Sequence, residues 1–397
     1  MATLVQRVGI DDAGPKLGRV RHGVGLAASE VHFWLTGLMA MALIPAMRAA
    51  RLPLRFDWPH LVPAWVGLMF QATFLACLLY VIGGGYSATL GAVLARYWTD
   101  KRRLILLVPL VAELVYLFGA AEAAVVTFAF IAFVELMERT RKQPGALLNA
   151  VTAVMLPAAY LFAGLVMVFA YNDVIVSFRF FAAYDPAFNR IDSWMLGGAT
   201  VSGIAHSVGA HLSLGAYRFL EFVYFGMFSQ IGAGIILVAL YLGMRRAFRL
   251  VGTLLTAYAF ALLCFYLWPS HGPYYSCPVH FAVFPHQLTV YAAQQTLLAR
   301  ARALSGGLGI DSISTDYYIA FPCMHIAQPL IVMWFLRRWK RIAVTLTAVN
   351  VVLVAAILLL EWHYLVDVLG GVAVAILSIA IVNRRAFRRE QTSIPSP

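Results

Sequence analysis

Charged residues are scarce in this chain. Of its 397 residues, 12% are charged and 62% are hydrophobic, and the mean hydropathy is +0.80. Soluble proteins average roughly 25% charged residues, so this composition excludes an ordinary soluble domain. The apolar runs last about 17–25 residues, which suits spanning helices better than barrel strands. The sequence therefore predicts an all-α integral membrane protein, a polytopic helical bundle.

Acidic residues are fewer than basic ones, 18 against 30, and the formal net charge is +12. In a soluble protein this excess would suggest a nucleic-acid partner. Here the Lys and Arg residues lie in short loops between apolar segments, as the positive-inside rule describes. We therefore expect no nucleic acid as a partner, and we expect the basic loops to favour anionic lipid headgroups.

Cysteine is also rare, with four residues and no CxxC pair, so neither a zinc motif nor a redox motif is present. Several histidines fall on the side of the membrane that we predict to be non-cytosolic. No short spacing to carboxylates makes them a metal site, and we predict no metal and no cofactor. These histidines are His206, His211, His271, His280 and His286.

The apolar segments and the basic loops together predict the organisation of the chain. Four basic clusters, in 139–142, 245–249, 337–341 and 384–389, alternate across the last six segments and are assigned to the cytosol. We divide the chain into an N-terminal cytosolic tail with accessory transmembrane helices (1–145), a six-helix core (146–383) and a basic cytosolic tail (384–397). The number of N-terminal crossings stays open. Candidate spans are 30–47, 62–82, 104–118, 120–138, 146–172, 218–243, 249–268, 318–336, 342–360 and 363–383.

Two histidine motifs lie near the C-terminus, at segment ends that we predict to share the non-cytosolic face. They read Phe321-Pro322-Cys323-Met324-His325 and His363-Tyr364-Leu365-Val366-Asp367, the second followed by Gly370-Gly371. On a helix, His363 and Asp367 share a face, so the carboxylate can fix the imidazole tautomer and leave the other ring nitrogen as a nucleophile. His325 would begin a helix, where phosphate binds well. A lone histidine is more often an interfacial cap, but this set predicts phosphoryl transfer through a phosphohistidine.

These motifs resemble the type-2 phosphatidic acid phosphatase superfamily, in particular its inositol phosphorylceramide synthase (aureobasidin-resistance)-like branch. The stretch from Trp268 to Tyr275, WPSHGPYY, is similar to the proline-rich aromatic motif of that branch, and Arg190-Ile191-Asp192 is weakly similar to an earlier one. The resemblance covers about residues 146–383 and implies a six-helix phosphatase-superfamily core. It implies that His363 is the nucleophile, that Asp367 orients it, and that His325 protonates the leaving oxygen and then deprotonates the acceptor.

The chain departs from the superfamily pattern at three places. Cys323 stands where the family has serine, Ala356-Ile357 stand where it has Ser-Arg, and no Lys-x6-Arg-Pro motif occurs. A thiol is a poor hydrogen-bond donor, and we predict that Cys323 takes no covalent part in the reaction. Substrate-binding candidates are His271, Tyr274, Arg190 and Cys323. The phosphate clamp is unassigned, with Arg179, Arg190, Arg218, Arg300 and Arg302 as outer-side candidates.

The resemblance implies a lipid phosphotransferase that acts on a membrane phospholipid or polyprenyl phosphate at the outer leaflet. One alternative is a lipid phosphate or polyprenyl diphosphate phosphatase, with water as the acceptor. An alternative of another class is a non-catalytic lipid-binding or transport protein. We expect a multi-pass protein of the bacterial inner membrane whose site faces the non-cytosolic side. The donor lipid, the acceptor and the oligomeric state stay open.

Overall fold

The computed structural model describes residues 31–50 and 52, several positions between 71 and 79, and residues 146–179, 183–276, 287–305 and 319–392. The predicted spans 104–118 and 120–138 lie outside the described residues. All regular secondary structure in the described ranges is helical. The helices are α1 Val31–Ala49, α2 Ala146–Arg179, α3 Asp185–Met195, α4 Val201–Gly209, α5 Leu214–Leu242, α6 Met244–Leu267, α7 Pro273–Ser276, α8 Thr289–Ser305, α9 Met324–Leu336, α10 Lys340–Leu359 and α11 Leu365–Thr392.

Five of the described helices are long and apolar enough to cross a membrane. This confirms the prediction of an all-α, multi-pass integral membrane protein. A sixth apolar helix, α9, has only 13 residues, which corresponds to roughly 20 Å against a hydrocarbon core of about 30 Å. The five apolar stretches are Val151–Phe178, Leu214–Leu242, Met244–Leu267, Lys340–Leu359 and Leu365–Asn383.

Helix α9 begins later than the predicted span 318–336. Pro322 has no backbone N–H, and a proline also pushes the residue before it out of the helical region, so Phe321 cannot continue a helix. The backbone around 319–323 is therefore irregular, and the helix begins at Met324 with Cys323 as its N-cap residue. This irregular segment is where the first histidine motif lies.

Helix α11 begins two residues later than predicted and continues beyond position 383 to Thr392. His363 and Tyr364 thus lie in the turn before the helix, and His363 does not begin it. The Asp367 carboxylate accepts the backbone N–H of Tyr364 at 2.9 Å. This contact caps the helix N-terminus from within its first turn, in the manner of the acidic residue of a capping box.

Helix α6 lies at the centre of the bundle and packs against α2, α5, α9 and α11. Its side chains at Leu250, Leu254, Ala257 and Ala261 are fully buried. The short helices α3 and α4 pack over one end of the bundle, where α3 contacts α7 and α11, and α4 contacts α10. That end also carries the first residues of α9 and α11, so the two histidine motifs meet beneath a cover of short helices.

Candidate active site

The two histidine motifs come together in the structure. His325 Nδ1 lies 3.1 Å from His363 Nε2, and His363 Nδ1 lies 3.3 Å from Asp367 Oδ2. His363 is 3% exposed and Asp367 is fully buried. The three side chains form one line of hydrogen-bonding groups, with the Nε2 atom of His363 at its centre.

A tight turn between α10 and α11 places His363. The backbone N–H groups of Trp362 and His363 both donate to the carbonyl oxygen of Ile357, at 3.1 and 3.3 Å. Glu361, at the centre of this turn, has a φ of 57°, a left-handed conformation that is uncommon for a residue with a side chain. The turn reverses the chain so that His363 lies directly before α11, one helical turn from Asp367.

The glycine pair after Asp367 allows α11 to approach the first motif closely. Cys323 donates its backbone N–H to the Asp367 carbonyl oxygen at 2.9 Å. A Cβ atom on Gly371 would collide with the Cys323 carbonyl oxygen, and one on Gly370 would lie 2.6 Å from the Phe321 ring. Side chains at either position would therefore push the two histidine segments apart.

Two buried aspartates of α3 hold the residues that surround His363. Asp192 accepts the backbone N–H groups of Leu365 and Val366 at 2.7 and 2.9 Å. These are the first N–H groups of α11, which have no partner inside the helix. Asp185 accepts the Tyr364 hydroxyl at 3.2 Å. Helix α3 thus fixes the turn that carries His363.

Asp185 also holds the loop that follows α6. Its Oδ1 atom accepts the backbone N–H groups of His271 at 3.0 Å and Gly272 at 2.8 Å. Gly272 has a φ of 105°, and a side chain there would collide with the Trp362 carbonyl oxygen. The loop, α3 and the His363 turn are therefore joined through one carboxylate.

Burial sets the protonation states of the groups around the turn. It lowers the pKa of His363 from 6.5 to about 4, so the imidazole is neutral at neutral pH and Nε2 has a free electron pair. Burial, and then the nearby Asp367, hold the pKa of the Cys323 thiol well above its usual range. A protonated thiol is a poor nucleophile, which agrees with the predicted non-covalent role of Cys323.

A small pocket opens beside the two histidines and has a volume of about 40 Å³. Such a volume holds only a few water molecules. The Tyr224 ring stacks on the His325 ring with centroids 4.5 Å apart, and on Trp362 at 5.5 Å. The His325 ring is therefore fixed from one side. The residues that line the pocket are Met227, Phe228, Tyr258, Ile319, Met324, His325, Gln328 and His363.

A comparison with known families bears directly on this geometry. Residues 193–381 match the family model described as the PAP2 superfamily. The matched range, just under half of the chain, contains the whole histidine–aspartate line. The match supports a reaction of the phosphatase or phosphotransferase type on a lipid phosphate, and it does not distinguish a branch. No curated protein and no solved structure matches the chain.

The substrate-binding candidates take different places around the candidate active site. His271 and Tyr274 are both buried. The His271 ring stacks on Tyr275, and the Tyr274 N–H donates to the Glu361 carbonyl oxygen at 3.0 Å. Both residues thus support the His363 turn. Cys323 is fully buried, and its thiol lies in one cluster with donor atoms of the two histidines.

Arg190 has an exposed side chain. Successive residues of a helix are about 100° apart around its axis, so Arg190 lies on the side of α3 roughly opposite Asp185 and Asp192. The other clamp candidates differ in exposure. Arg218 and Arg302 are exposed and Arg300 is partly buried, and the Arg179 side chain lies outside the described atoms. Two carboxylates contact the His363 turn, since Asp367 accepts the Tyr364 backbone N–H and Asp185 accepts the Tyr364 hydroxyl.

The sequence interpretation missed the supporting groups Asp185, Tyr364, Tyr224 and Glu361, and named Asp192 only as part of a weak motif. One signal was available in the sequence at the start of α3. Asp185-Pro186 is a typical helix start, and the helix that follows is amphipathic. An amphipathic helix with aspartates on its buried face predicts that these carboxylates bind backbone N–H groups.

Proposed function

We propose that this protein transfers the phosphate-bearing headgroup of a membrane lipid through a phosphohistidine at His363. The observation that carries the proposal is the line from Asp367 Oδ2 to His363 Nδ1, and from His363 Nε2 to His325 Nδ1. In this line the carboxylate fixes one ring nitrogen of His363 and leaves the other as the nucleophile. A second imidazole lies within reach of the same reacting atom.

The first half-reaction forms the covalent intermediate. His363 Nε2 attacks the lipid phosphorus, a P–N bond forms, and the P–O bond to the lipid breaks. His325 takes up a proton when the anionic phosphate binds beside it, and this imidazolium donates the proton to the departing oxygen. The Asp367 carboxylate stabilises the positive charge that the substituted imidazole carries. The substrate phosphoryl group must first separate the two imidazoles, which contact each other directly in the free protein.

The second half-reaction returns the site to its starting state. An acceptor hydroxyl binds where the leaving group was, and His325, now neutral, takes its proton. The acceptor oxygen attacks the phosphorus and the P–N bond breaks. With an alcohol as acceptor the product is a new phosphate ester, and with water it is free phosphate or a phosphorylated headgroup.

The charge around the site favours a phosphodiester donor. Asp185, Asp192 and Asp367 are all buried near the His363 turn. A monoester dianion would be repelled more strongly by these carboxylates than a diester monoanion. This supports a headgroup transferase of the inositol phosphorylceramide synthase-like kind, acting on a phospholipid diester.

A lipid phosphatase is the second candidate function. The pocket beside His363 has the volume of a few water molecules, which is enough for a water acceptor. The match to the PAP2 superfamily also supports hydrolysis of a lipid phosphate or a polyprenyl diphosphate. The two candidates share the first half-reaction and differ only in the acceptor.

We place this reaction at the non-cytosolic face of the membrane, in keeping with an enzyme of a bacterial inner membrane. Support comes from two basic turns, α5 to α6 and α9 to α10, which lie at the ends of these helices remote from His325. Their exposed residues include Arg245, Arg246, Arg338 and Arg341. The positive-inside rule assigns such turns to the cytosol.

The test is a transfer assay with purified protein. Phosphatidylinositol and phosphatidic acid, each labelled at phosphorus, are incubated with and without a long-chain alcohol or ceramide acceptor. We expect a new labelled lipid from the diester only when the acceptor is present, and no product with His363→Ala. Free phosphate from phosphatidic acid, independent of acceptor, would establish the phosphatase instead. No turnover of either lipid, with correctly folded protein, would contradict both.

A further inference from the structure

We propose that Cys323, His325 and His363 form a Zn²⁺ site, and that Zn²⁺ bound there blocks the reaction. The inhibitory consequence rests on the proposed function, whereas metal binding itself does not. Each of the three residues offers one donor atom, and these atoms all lie within 4.8 Å of one another. In the part of the chain that the structure describes, this is the one such group of donors.

The spacing of the two imidazole donors suits a tetrahedral ion. Zinc binds imidazole nitrogen at about 2.0–2.1 Å and thiolate sulfur at about 2.3 Å, which separates two nitrogen ligands by roughly 3.3 Å. His325 Nδ1 and His363 Nε2 are 3.1 Å apart. The ion would therefore replace the proton that these two nitrogens share, and the distance between the nitrogens would change little.

The surroundings of the three donors also fit a metal. His363 Nδ1 faces the Asp367 carboxylate at 3.3 Å, and a carboxylate behind a ligating histidine fixes the tautomer and strengthens the ligand. Zn²⁺ would deprotonate the Cys323 thiol on binding. The charge of the ion is then balanced by the thiolate and by Asp367, which avoids an uncompensated charge in a buried site.

The fourth ligand position is supplied by the pocket. His325 and His363 both line it, together with Met324 and Gln328. The pocket holds only a few water molecules, which is enough for one water ligand. Three protein ligands plus one exchangeable position resemble an accessible zinc site more than a closed structural one.

Bound Zn²⁺ should inhibit because it occupies the reacting atoms. Coordination takes the electron pair of His363 Nε2, so no P–N bond can form. It also takes the His325 nitrogen that faces the reaction, which removes the general acid. Binding releases the thiol proton of Cys323, so the affinity should fall as the pH falls. The effect depends on the sulfur of Cys323, a soft ligand that serine cannot replace.

The experiment uses Co²⁺ as a spectroscopic probe on the full-length protein, with any affinity tag removed and chelator-free buffer. We expect one Co²⁺ per chain, with a thiolate-to-cobalt charge-transfer absorption that stoichiometric Zn²⁺ abolishes. Cys323→Ser should lose this absorption. Cys264→Ser is the matched control, because Cys264 is a free thiol on α6 outside the cluster, and it should keep both the absorption and the uninhibited rate.

Inhibition is read as the Zn²⁺ concentration that halves each variant's own metal-free rate. We expect this concentration to rise by at least about 100-fold in Cys323→Ser and to stay constant in Cys264→Ser. Cys323→Ala serves as a second variant if the serine protein elutes abnormally. Absence of the charge-transfer band in the wild type, its persistence in both Cys323 variants, or activation by Zn²⁺ would overturn the proposal. A band in a protein that turns over no lipid would retain the site and reject only the proposed function.

Discussion

The two imidazoles at the centre of the site constrain each other's protonation. His363 Nδ1 faces Asp367 Oδ2, so this nitrogen carries the hydrogen and Nε2 is an acceptor. The His325 Nδ1 atom that contacts Nε2 must then donate. The free site thus already holds one hydrogen between the proposed nucleophile and the proposed general acid, in the place where the substrate phosphoryl group would lie.

Glu361, two positions before His363, is unusual because its carboxyl group is buried. Its side chain is 3% exposed, and Oε1 has no hydrogen-bond partner within the described structure. Burial raises the pKa of its carboxyl group from 4.5 to about 8. A carboxyl group in this position is mostly protonated at neutral pH, and ionising it would place an uncompensated charge inside the turn that holds His363.

Replacing Glu361 with glutamine should change how stability depends on pH. Between about pH 4.5 and 8 the folded wild type binds more protons at this residue than the unfolded chain does, so the free energy of unfolding falls as the pH rises through this window. Glutamine cannot ionise and removes this contribution. Thermal unfolding in detergent from pH 5 to 8.5 should show a flatter dependence for Glu361→Gln. Parallel curves for the two proteins would contradict the assigned pKa shift.

The sequence motifs contain the three residues that the structure brings into one line, but they do not identify the groups that hold these residues. His325, His363 and Asp367 stand in short motifs whose spacing carries chemical meaning. Asp185 and Tyr364 are 179 residues apart, and no local pattern connects residues at that distance. The Arg190 side chain lies on the exposed side of its helix while Asp192 is buried, and its role in binding phosphate stays a prediction.

Helix α3 holds the N-terminus of α11 in place. Its buried positions Asp185, Phe188 and Asp192 face the site, while Arg190 and Trp194 are exposed. The two oxygens of Asp192 each accept one N–H group of the first turn of α11. These two hydrogen bonds hold the helix that supplies Asp367, so we regard Asp192 as a positioning residue.

Asp192→Asn should weaken the contact between Asp192 and the first turn of α11. The amide oxygen can accept one of the two N–H groups, but the amide NH2 then faces the other, which is left without a partner. We expect a loss of about 1–3 kcal/mol in stability, and a fall of about 10–100-fold in kcat with little change in KM, because the nucleophile is displaced and substrate binding is not. Asn189→Ala, on the same helix, is the control and should change neither value.

Steady-state kinetics and thermal unfolding of these two variants distinguish positioning from general support. A variant that loses stability while kcat is kept would make Asp192 a purely structural cap. A rise in KM at constant kcat would instead indicate that Asp192 contributes to substrate binding.

The helix boundaries show which physical signals the sequence carries. The long apolar helices α5, α6 and α10 begin and end within about five residues of their predicted limits, because an apolar run in a membrane must form a helix. Helix α9 starts at Met324 and not at 318, and α11 starts at Leu365 and not at 363. There the backbone is set by Pro322, by the Asp367 cap and by the contact across Gly371, which are tertiary features that hydropathy does not report.

The bundle as a whole separates the site from the basic turns. His325 lies at the start of α9 and the basic turn 337–341 follows its end, roughly 20 Å away along the helix. The turn between α5 and α6 carries Arg245 and Arg246, both exposed. The basic residues therefore share one face of the membrane, and the site lies towards the other.

Cysteine labelling tests this orientation. In a background without Cys77, Cys264, Cys277 and Cys323, a single cysteine is placed at Ala199, an exposed position between α3 and α4, or at Gln391 near the C-terminus. We expect an impermeant maleimide to label position 199 in intact cells and position 391 only after the membrane is opened. The reverse pattern would place the site on the cytosolic side.

The most direct test of the account is to trap the phosphoenzyme and locate the phosphorus. Protein incubated briefly with a phosphorus-labelled phospholipid is quenched in base, digested and analysed by mass spectrometry. The phosphohistidine mechanism predicts an acid-labile, base-stable label on His363 that is absent in His363→Ala and forms more slowly in His325→Gln. A label on Cys323, or turnover without any label on His363 while His363→Ala keeps more than about a tenth of wild-type activity, would contradict the phosphohistidine mechanism.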